Sequence, residues 1–289
     1  MFKNLKDPYL ISEIGINHNG DINIAKKLID ASSATNWDCV KFQKRNPDVC
    51  VPESQKNILR KTPWGEIKYI EYKHKVEFGI NEYNEIDSIC KQKKIDWTAS
   101  VWDYDSLDFL TKNYSDIKFL KIPSAINGSY DFLIDCCKTG LPILVSLGMS
   151  DLKGCDKIVN LLNKYSNDFC VMHTNSSYPA PNDQLNLSLI PFFINRYDCP
   201  VGYSGHEIDL EPSVIASILG ANVIERHVTL DHDMWGSDHK ASLEVHAMDI
   251  LRKRIVSVRE ALGTPEKKVF ESEAPFIQKL KNNNISKKL

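Results

Sequence analysis

Two histidines at equivalent places are the first residues in this chain that point to chemistry. Between Val201 and Glu244 the sequence reads as strand, helix, strand and polar loop, and the two strands finish on His206 and His227. In a barrel of parallel strands, neighbouring strand ends open on the same mouth. Neutral imidazole is also the commonest protein ligand for a divalent metal. Either histidine alone reads more simply as a hydrogen-bonded residue at the edge of a core. The pair, flanked by Ser204, Glu225 and Asp238, reads as a site.

Charges elsewhere in the strands point the same way. Glu13 sits in ISEIGI, Lys41 in CVKFQ, Lys121 in FLKIP, and Glu225 with Arg226 in VIERHV. An ionised side chain facing a dry core costs on the order of several kcal/mol unless it is paired. One such residue can snorkel outward between helices. Several, spread over four strands, are better explained by a polar mouth lined from many directions. Two converging lysines suit a phosphate or a carboxylate. Ser100, Ser124, Ser146, Asn175, Ser176 and Ser204 fall at other strand ends. Singly these are ordinary capping residues; together they supply donors for phosphate oxygens without adding charge. The set implies a metal-assisted reaction on an anionic, phosphorylated small molecule.

The elements that would position these groups repeat. Short apolar strands (YLISEIGIN, CVKFQK, DWTASV, FLKIPS, PILVSLG, FCVMHTN, PVGYSGH, NVIERHV) alternate with segments whose apolar residues recur every three or four positions, such as INIAKKLIDASSA and AMDILRKRIVSVREAL. Near-continuous apolar strands with amphipathic helices between them predict a parallel sheet covered on its outside. Eight such units in about 260 residues give an α/β fold, a (β/α)8 TIM barrel, over residues 1–263. An open doubly wound sheet is the alternative, but no GxGxxG turn follows a strand. The connection from Arg45 to Gly79, carrying TPWGEIKYIEYKHKVEF, is far longer than its fellows and is expected to be a lid or an oligomer contact over 45–79. Residues 264–289 turn rich in lysine and asparagine and read as a polar tail.

Bulk properties exclude other classes. A formal net charge of -2 over 289 residues makes no demand for a polyanion, so no nucleic acid is expected. No apolar run reaches the roughly 20 residues that cross a bilayer, and the start carries no secretory pattern. Eight scattered cysteines without a CxxC indicate reduced thiols in a cytoplasmic setting rather than a disulfide framework or a structural zinc site.

Several words of the sequence resemble the sialic acid (nonulosonic acid) synthase family: EIGINHNG at Glu13–Gly20, KFQK at Lys41–Lys44, KIPS at Lys121–Ser124, SLGM at Ser146–Met149 and SYPAP at Ser177–Pro181. They continue, in the same order, with GYSGHE at Gly202–Glu207, ERHVTLD at Glu225–Asp231 and GSDHKASLE at Gly236–Glu244. The resemblance implies a barrel that condenses phosphoenolpyruvate with an open-chain N-acetylmannosamine-type sugar and releases phosphate. It also implies a divalent metal on His206 and His227, manganese first, with magnesium or cobalt as alternatives. Lys41, Lys121, Ser100, Ser124, Ser146, Ser176 and Ser204 would hold phosphoenolpyruvate. Glu13, Gln43, Tyr178, Glu225 and Asp238 would meet the sugar or steer protons.

Two departures stand out. Where many members have a glycine and a carboxylate after KIPS, this sequence has Ala125 and Ile126, and isoleucine neither moves a proton nor accepts a hydrogen bond. Many members also continue into an antifreeze-like domain, swapped across a homodimer; residues 264–289 are too few for it, so a separate protein would supply it or the barrel loops would suffice. Rival expectations are a synthase for a different aldose, a metal-dependent aldolase or isomerase on the same fold, and a non-catalytic barrel that binds phosphoenolpyruvate or sugar.

Overall fold

The structure, a computed structural model, describes residues 1–3, 5–166 and 168–281. Eight parallel strands run in chain order: β1 (Tyr9–Gly15), β2 (Cys39–Lys44), β3 (Asp96–Val101), β4 (Leu120–Ile122), β5 (Ile143–Ser146), β6 (Phe169–Thr174), β7 (Val201–Gly205) and β8 (Val223–Thr229). Each pairs with the next, and β8 pairs back onto β1 with Glu13 level with His227, which closes the barrel. A two-residue strand, Leu243–Glu244, adds to the far end of β8.

Eight helices cover the outside: α1 (Ile22–Ala34), α2 (Ile80–Lys93), α3 (Tyr104–Asn113), α4 (Tyr130–Lys138), α5 (Leu152–Tyr165), α6 (Leu189–Tyr197), α7 (Glu211–Ile218) and α8 (Val245–Leu262). Their registers follow from capping and apolar spacing. In α1, Asp21 accepts from the Asn23 amide and Ala25, Leu28, Ile29 and Ser32 form the buried stripe. In α5, Asp151 accepts from the Gly154 amide and Cys155, Ile158, Val159 and Leu162 face inward.

Because side chains alternate along a strand, the barrel builds two cores. Outward-facing Leu10, Val40, Val171 and Ile224 pack under the helices in the larger one. Inward-facing Ile11, Cys39, Leu144, Cys170, Met172 and Val223 fill the lower barrel, where Phe2 and Phe119 join them. One step higher the inward positions turn polar, so the barrel is dry at its base and charged at its mouth.

The long connection is a structured excursion. It holds two short helices, Pro47–Cys50 and Glu53–Lys56, a hairpin of Leu59–Thr62 with Gly65–Lys68, and a helix over Tyr69–Val76. Trp64 and Tyr72 pack against Trp235 from the loop after β8, with ring centroids 6.5 and 5.1 Å from it. The tail is also more ordered than its composition implies. A short helix spans Ala274–Leu280, though every residue from 264 to 281 is exposed; the rest of the tail lies outside the described residues. Among the described residues no helix is long and apolar enough to cross a membrane, and all eight cysteines are unbridged.

Candidate active site

The polar layer is the direct upward continuation of the inner core. Stepping two residues along each strand leads from Ile11 to Glu13, from Cys39 to Lys41 and Gln43, from Phe119 to Lys121, from Leu144 to Ser146, and from Val223 to Glu225 and His227. These side chains converge on one cavity of about 150 Å3. It is lined by every residue that the sequence nominated for the site except Asp238, Asn175 and Arg226.

At its base four charges alternate. Lys41 contacts Glu13, donates to Ser100 Oγ at 2.9 Å and lies 3.8 Å from Glu225. Lys121 donates to Glu225 at 3.1 Å, and Ser204 donates to the same oxygen at 3.0 Å. Burial opposes the Glu225 charge, yet Lys121 and Lys41 together hold its carboxyl down to about 2. Gln43 donates to Glu13 at 3.2 Å from the next level up. The two ammonium groups are thus matched by two carboxylates before any ligand enters.

Hydroxyls close one side. A side chain at Gly148, in the loop after β5, would stand 2.5 Å from Ser176 Oγ and 2.7 Å from Ser124 Oγ. That glycine marks the place where two hydroxyls from different loops approach each other. Ser176 Oγ is buried with no partner among the described residues. Asn127 fixes this corner by donating to the carbonyls of Ser146 and Gly148 at 2.9 and 3.0 Å.

The imidazoles close the other side. The His206 and His227 rings lie 5.7 Å apart, with Tyr178 stacked on the former at 4.1 Å and edge-on to the latter at 5.6 Å. His206 Nδ1 lies 2.6 Å from the Asn175 carbonyl, which can only accept, so this nitrogen carries the proton. Nε2 is left as a lone pair, now facing the Tyr178 hydroxyl at 2.9 Å. Burial, reinforced by His227, pushes His206 down to about 3, so it is neutral at physiological pH. His227 Nδ1 is buried without a partner among the described residues. At the end of β1, Gly15 has φ +55°, and a side chain there would press on Gln43, Glu13 and His227 at 3.2 Å each. Only glycine suits both the backbone and the space.

Two imidazoles, one of them neutral and oriented by a backbone carbonyl, fit a divalent cation held by few protein ligands and open to substrate oxygens. Among the described residues no group of three or more His, Cys, Asp or Glu is placed to hold a metal ion, so the protein would supply the two imidazoles alone. Charge balance argues in the same direction. The lysines are already neutralised by Glu13 and Glu225, so a ligand with both a carboxylate and a phosphate would leave the site negative without a cation.

The structure qualifies or corrects some expectations. Asp238 is half-buried beside the cavity rather than in its lining, near enough to His227 and His206 for both to act on its carboxylate. Burial raises its carboxyl, but His227, a hydrogen bond from Ser237 and Lys73 bring it below the usual range. Arg226 does not face the mouth: it points outward, fully buried, and pairs with Glu207 at 3.0 Å beneath α7. Asn175 contributes its carbonyl rather than its side chain. Asn17 and His18 serve the framework. Asn17 donates to Val228 and Ser242, and His18 stacks on Phe78 at 3.8 Å. Ile126 is absent from the cavity lining and faces a separate groove of about 770 Å3 beyond Trp102, whereas Ala125 lines the cavity. Cavity residues not anticipated are Trp102, Pro123, Met149 and Thr174. Trp102 was legible, since it stands two residues after Ser100 and so points the same way.

The NeuB family model matches residues 28–267. N-acetylneuraminate-9-phosphate synthase of Mus musculus is 33% identical over 282 residues, covering 96% of this chain and 78% of that protein. N,N'-diacetyllegionaminic acid synthase of Campylobacter jejuni is 32% identical over 289 residues, covering 98% of this chain and 86% of its own. The crystal structure of N-acetylneuraminic acid synthetase from Leptospira borgpetersenii superposes with a TM-score of 0.84 at 26% identity, over 96% of this chain and 94% of that one.

Proposed function

The chain belongs to the NeuB family, and from that premise we propose that it condenses phosphoenolpyruvate with an open-chain N-acetylmannosamine-type aldose, giving a 3-deoxy-ulosonic acid and phosphate. The observation that carries this reading is the buried layer of Glu13, Lys41, Lys121 and Glu225 beneath a ring of hydroxyls and two imidazoles. A barrel core has no packing reason to hold four charges. An anion-binding floor has one.

Lys41 and Lys121 supply fixed positive charge to the phosphate and carboxylate, and Ser100, Ser124, Ser146, Ser176 and Ser204 donate to the remaining oxygens. A cavity of about 150 Å3 is below the roughly 300–1,000 Å3 of common ligand pockets. It suits the three-carbon substrate at the base, with the sugar entering above it past Gln43 and Tyr178. The enol carbon C3 then bonds to the aldehyde carbon, whose oxygen takes a proton. Water adds to C2, and the tetrahedral centre collapses with cleavage of the C–O bond to phosphate. Glu13, fixed by Lys41 and Gln43, stands at the layer where water must lose its proton. A divalent ion on His206 and His227, manganese being the first candidate, would polarise the aldehyde and orient the two substrates. Tyr178 and Asn175 hold the His206 ring in the tautomer such an ion needs. The setting expected for this chemistry is the cytoplasm, where phosphoenolpyruvate is made.

Purified protein with phosphoenolpyruvate, manganese and a panel of aldoses should release phosphate with an N-acylated mannosamine-type sugar. Chelation should stop release, and manganese should restore it. Tight phosphoenolpyruvate binding with no release from any aldose would overturn the reading in favour of a non-catalytic barrel. Relatives named for phosphorylated and for unphosphorylated products both occur, so the family leaves the far end of the acceptor open.

A further inference from the structure

Above the level of Gln43 and Ser100, which lie side by side on β2 and β3, the next inward pair is Arg45 and Trp102. Two strand residues rise about 6.6 Å, which is comparable with the reach of a six-carbon chain whose aldehyde lies at the lower level. Arg45 stands 5.4 Å from the Trp102 ring, and Trp102 lines both the catalytic cavity and a second one of about 220 Å3. The excursion supplies the other walls, with Arg45, Cys50, Tyr69 and Lys73 among them.

This second cavity holds donors without acceptors. Arg45 is nine-tenths buried, and Glu77 takes only its Nε edge, at 2.7 Å. Arg45 Nη2 and Trp102 Nε1 are both buried with no partner among the described residues. Lys73 lies over the Tyr69 and Tyr72 rings at 5.1 and 5.2 Å. Burial and Arg45 push its ammonium down to about 8, as expected of a charge short of a counter-ion. The neighbouring carboxylates are otherwise engaged. Asp103 accepts from the Asn46 amide, from Ser106 and from Cys50, and Asp238 accepts from Ser237. Unmatched buried donors are costly, so such a cluster implies a ligand that accepts from all of them.

We propose that Arg45, Lys73 and Trp102 form a second anion site that takes a phosphomonoester at the far end of the sugar acceptor. The inference rests on the condensation proposed above and assigns its acceptor to the phosphorylated class. An acyclic sugar lying from the Gln43 level upward would set its aldehyde near the lower cavity and its terminal phosphate under the excursion.

The test uses the full chain with phosphoenolpyruvate and manganese, comparing N-acetylmannosamine with its 6-phosphate. The 6-phosphate should have the higher kcat/KM. Trp102→Phe, which keeps the ring and removes one donor, and Lys73→Met should each cut that preference by about tenfold, through KM rather than kcat. Arg45→Lys, which preserves a cation for Glu77, should reduce it as well. Equal turnover of the two sugars, or preference for the unphosphorylated one, overturns the second site and leaves the condensation standing. If neither sugar turns over, calorimetric titration with the 6-phosphate decides. Binding that Lys73→Met weakens upholds the site while the condensation fails, and no binding overturns both. Inorganic phosphate binding as tightly as the sugar phosphate, with the same sensitivity to Lys73→Met, marks a free-anion site and overturns the assignment to the acceptor.

Discussion

Glu225 ties the site's electrostatics to the stability of the chain. Its carboxyl is held near 2 against an ordinary value of 4.5, with burial opposed by Lys121 and Lys41. A carboxyl whose folded value is depressed contributes stability that is fully present above its unfolded value and lost as pH falls through the folded one. The affected window is therefore about pH 4.5 down to 2, and the linkage is on the order of 3 kcal/mol. Urea unfolding as a function of pH should show wild type losing stability across that window. Glu225→Gln should be less stable at neutral pH and flatter through the window. An unchanged slope in the variant would assign the acid sensitivity to other carboxylates. Lys121→Met should be the more damaging change, by about 3–5 kcal/mol, since it leaves a buried carboxylate with one distant cation.

At the scale of elements, repetition made the barrel readable. Strands β2 and β3 fall on the residues their composition marks, and α1 matches its expected segment from end to end. Alternation then forced Glu13, Lys41, Lys121 and Glu225 onto one face, so most of the cavity was legible as well. What failed was local. Helix α8 begins at Val245, directly after the strand Leu243–Glu244 and two residues ahead of the segment that apolar spacing marks. Arg226 was assigned to the mouth because a charge in a strand says nothing of its side; its neighbour Glu225 takes the inner position, which sends Arg226 outward. The Arg45–Lys73 pairing depends on how the excursion folds back, and no periodicity encodes that. The loop after β5 offers a test at this scale. Gly148→Ala would force Ser124 and Ser176 apart, so the KM for phosphoenolpyruvate should rise about tenfold, the loss of one or two charge-assisted hydrogen bonds. The overall melting temperature should hardly move. Unaltered affinity would show that these hydroxyls do not hold the anion.

Across the whole molecule, the barrel divides labour between its ends. The mouth spends stability on buried charge and unpartnered donors, and the closed base must offset it. There Phe2 is fully buried, packed edge-on to Phe119 and Tyr9 at 5.4 and 6.3 Å, beneath Ile11, Leu144 and Met172. A residue at the very start of the chain thus plugs the interior that the eight strands enclose. If stability and chemistry are segregated along the barrel axis, Phe2→Ala should lower the free energy of unfolding by about 3–5 kcal/mol. It should leave kcat and both KM values unaltered at temperatures where the variant is folded. Urea unfolding measured beside steady-state phosphate release separates the two effects. A fall in kcat at full folding would mean that the base transmits its packing to the Glu13 and Glu225 level. The barrel would then behave as one coupled core, since Ile11 and Val223 lie two strand positions below those carboxylates.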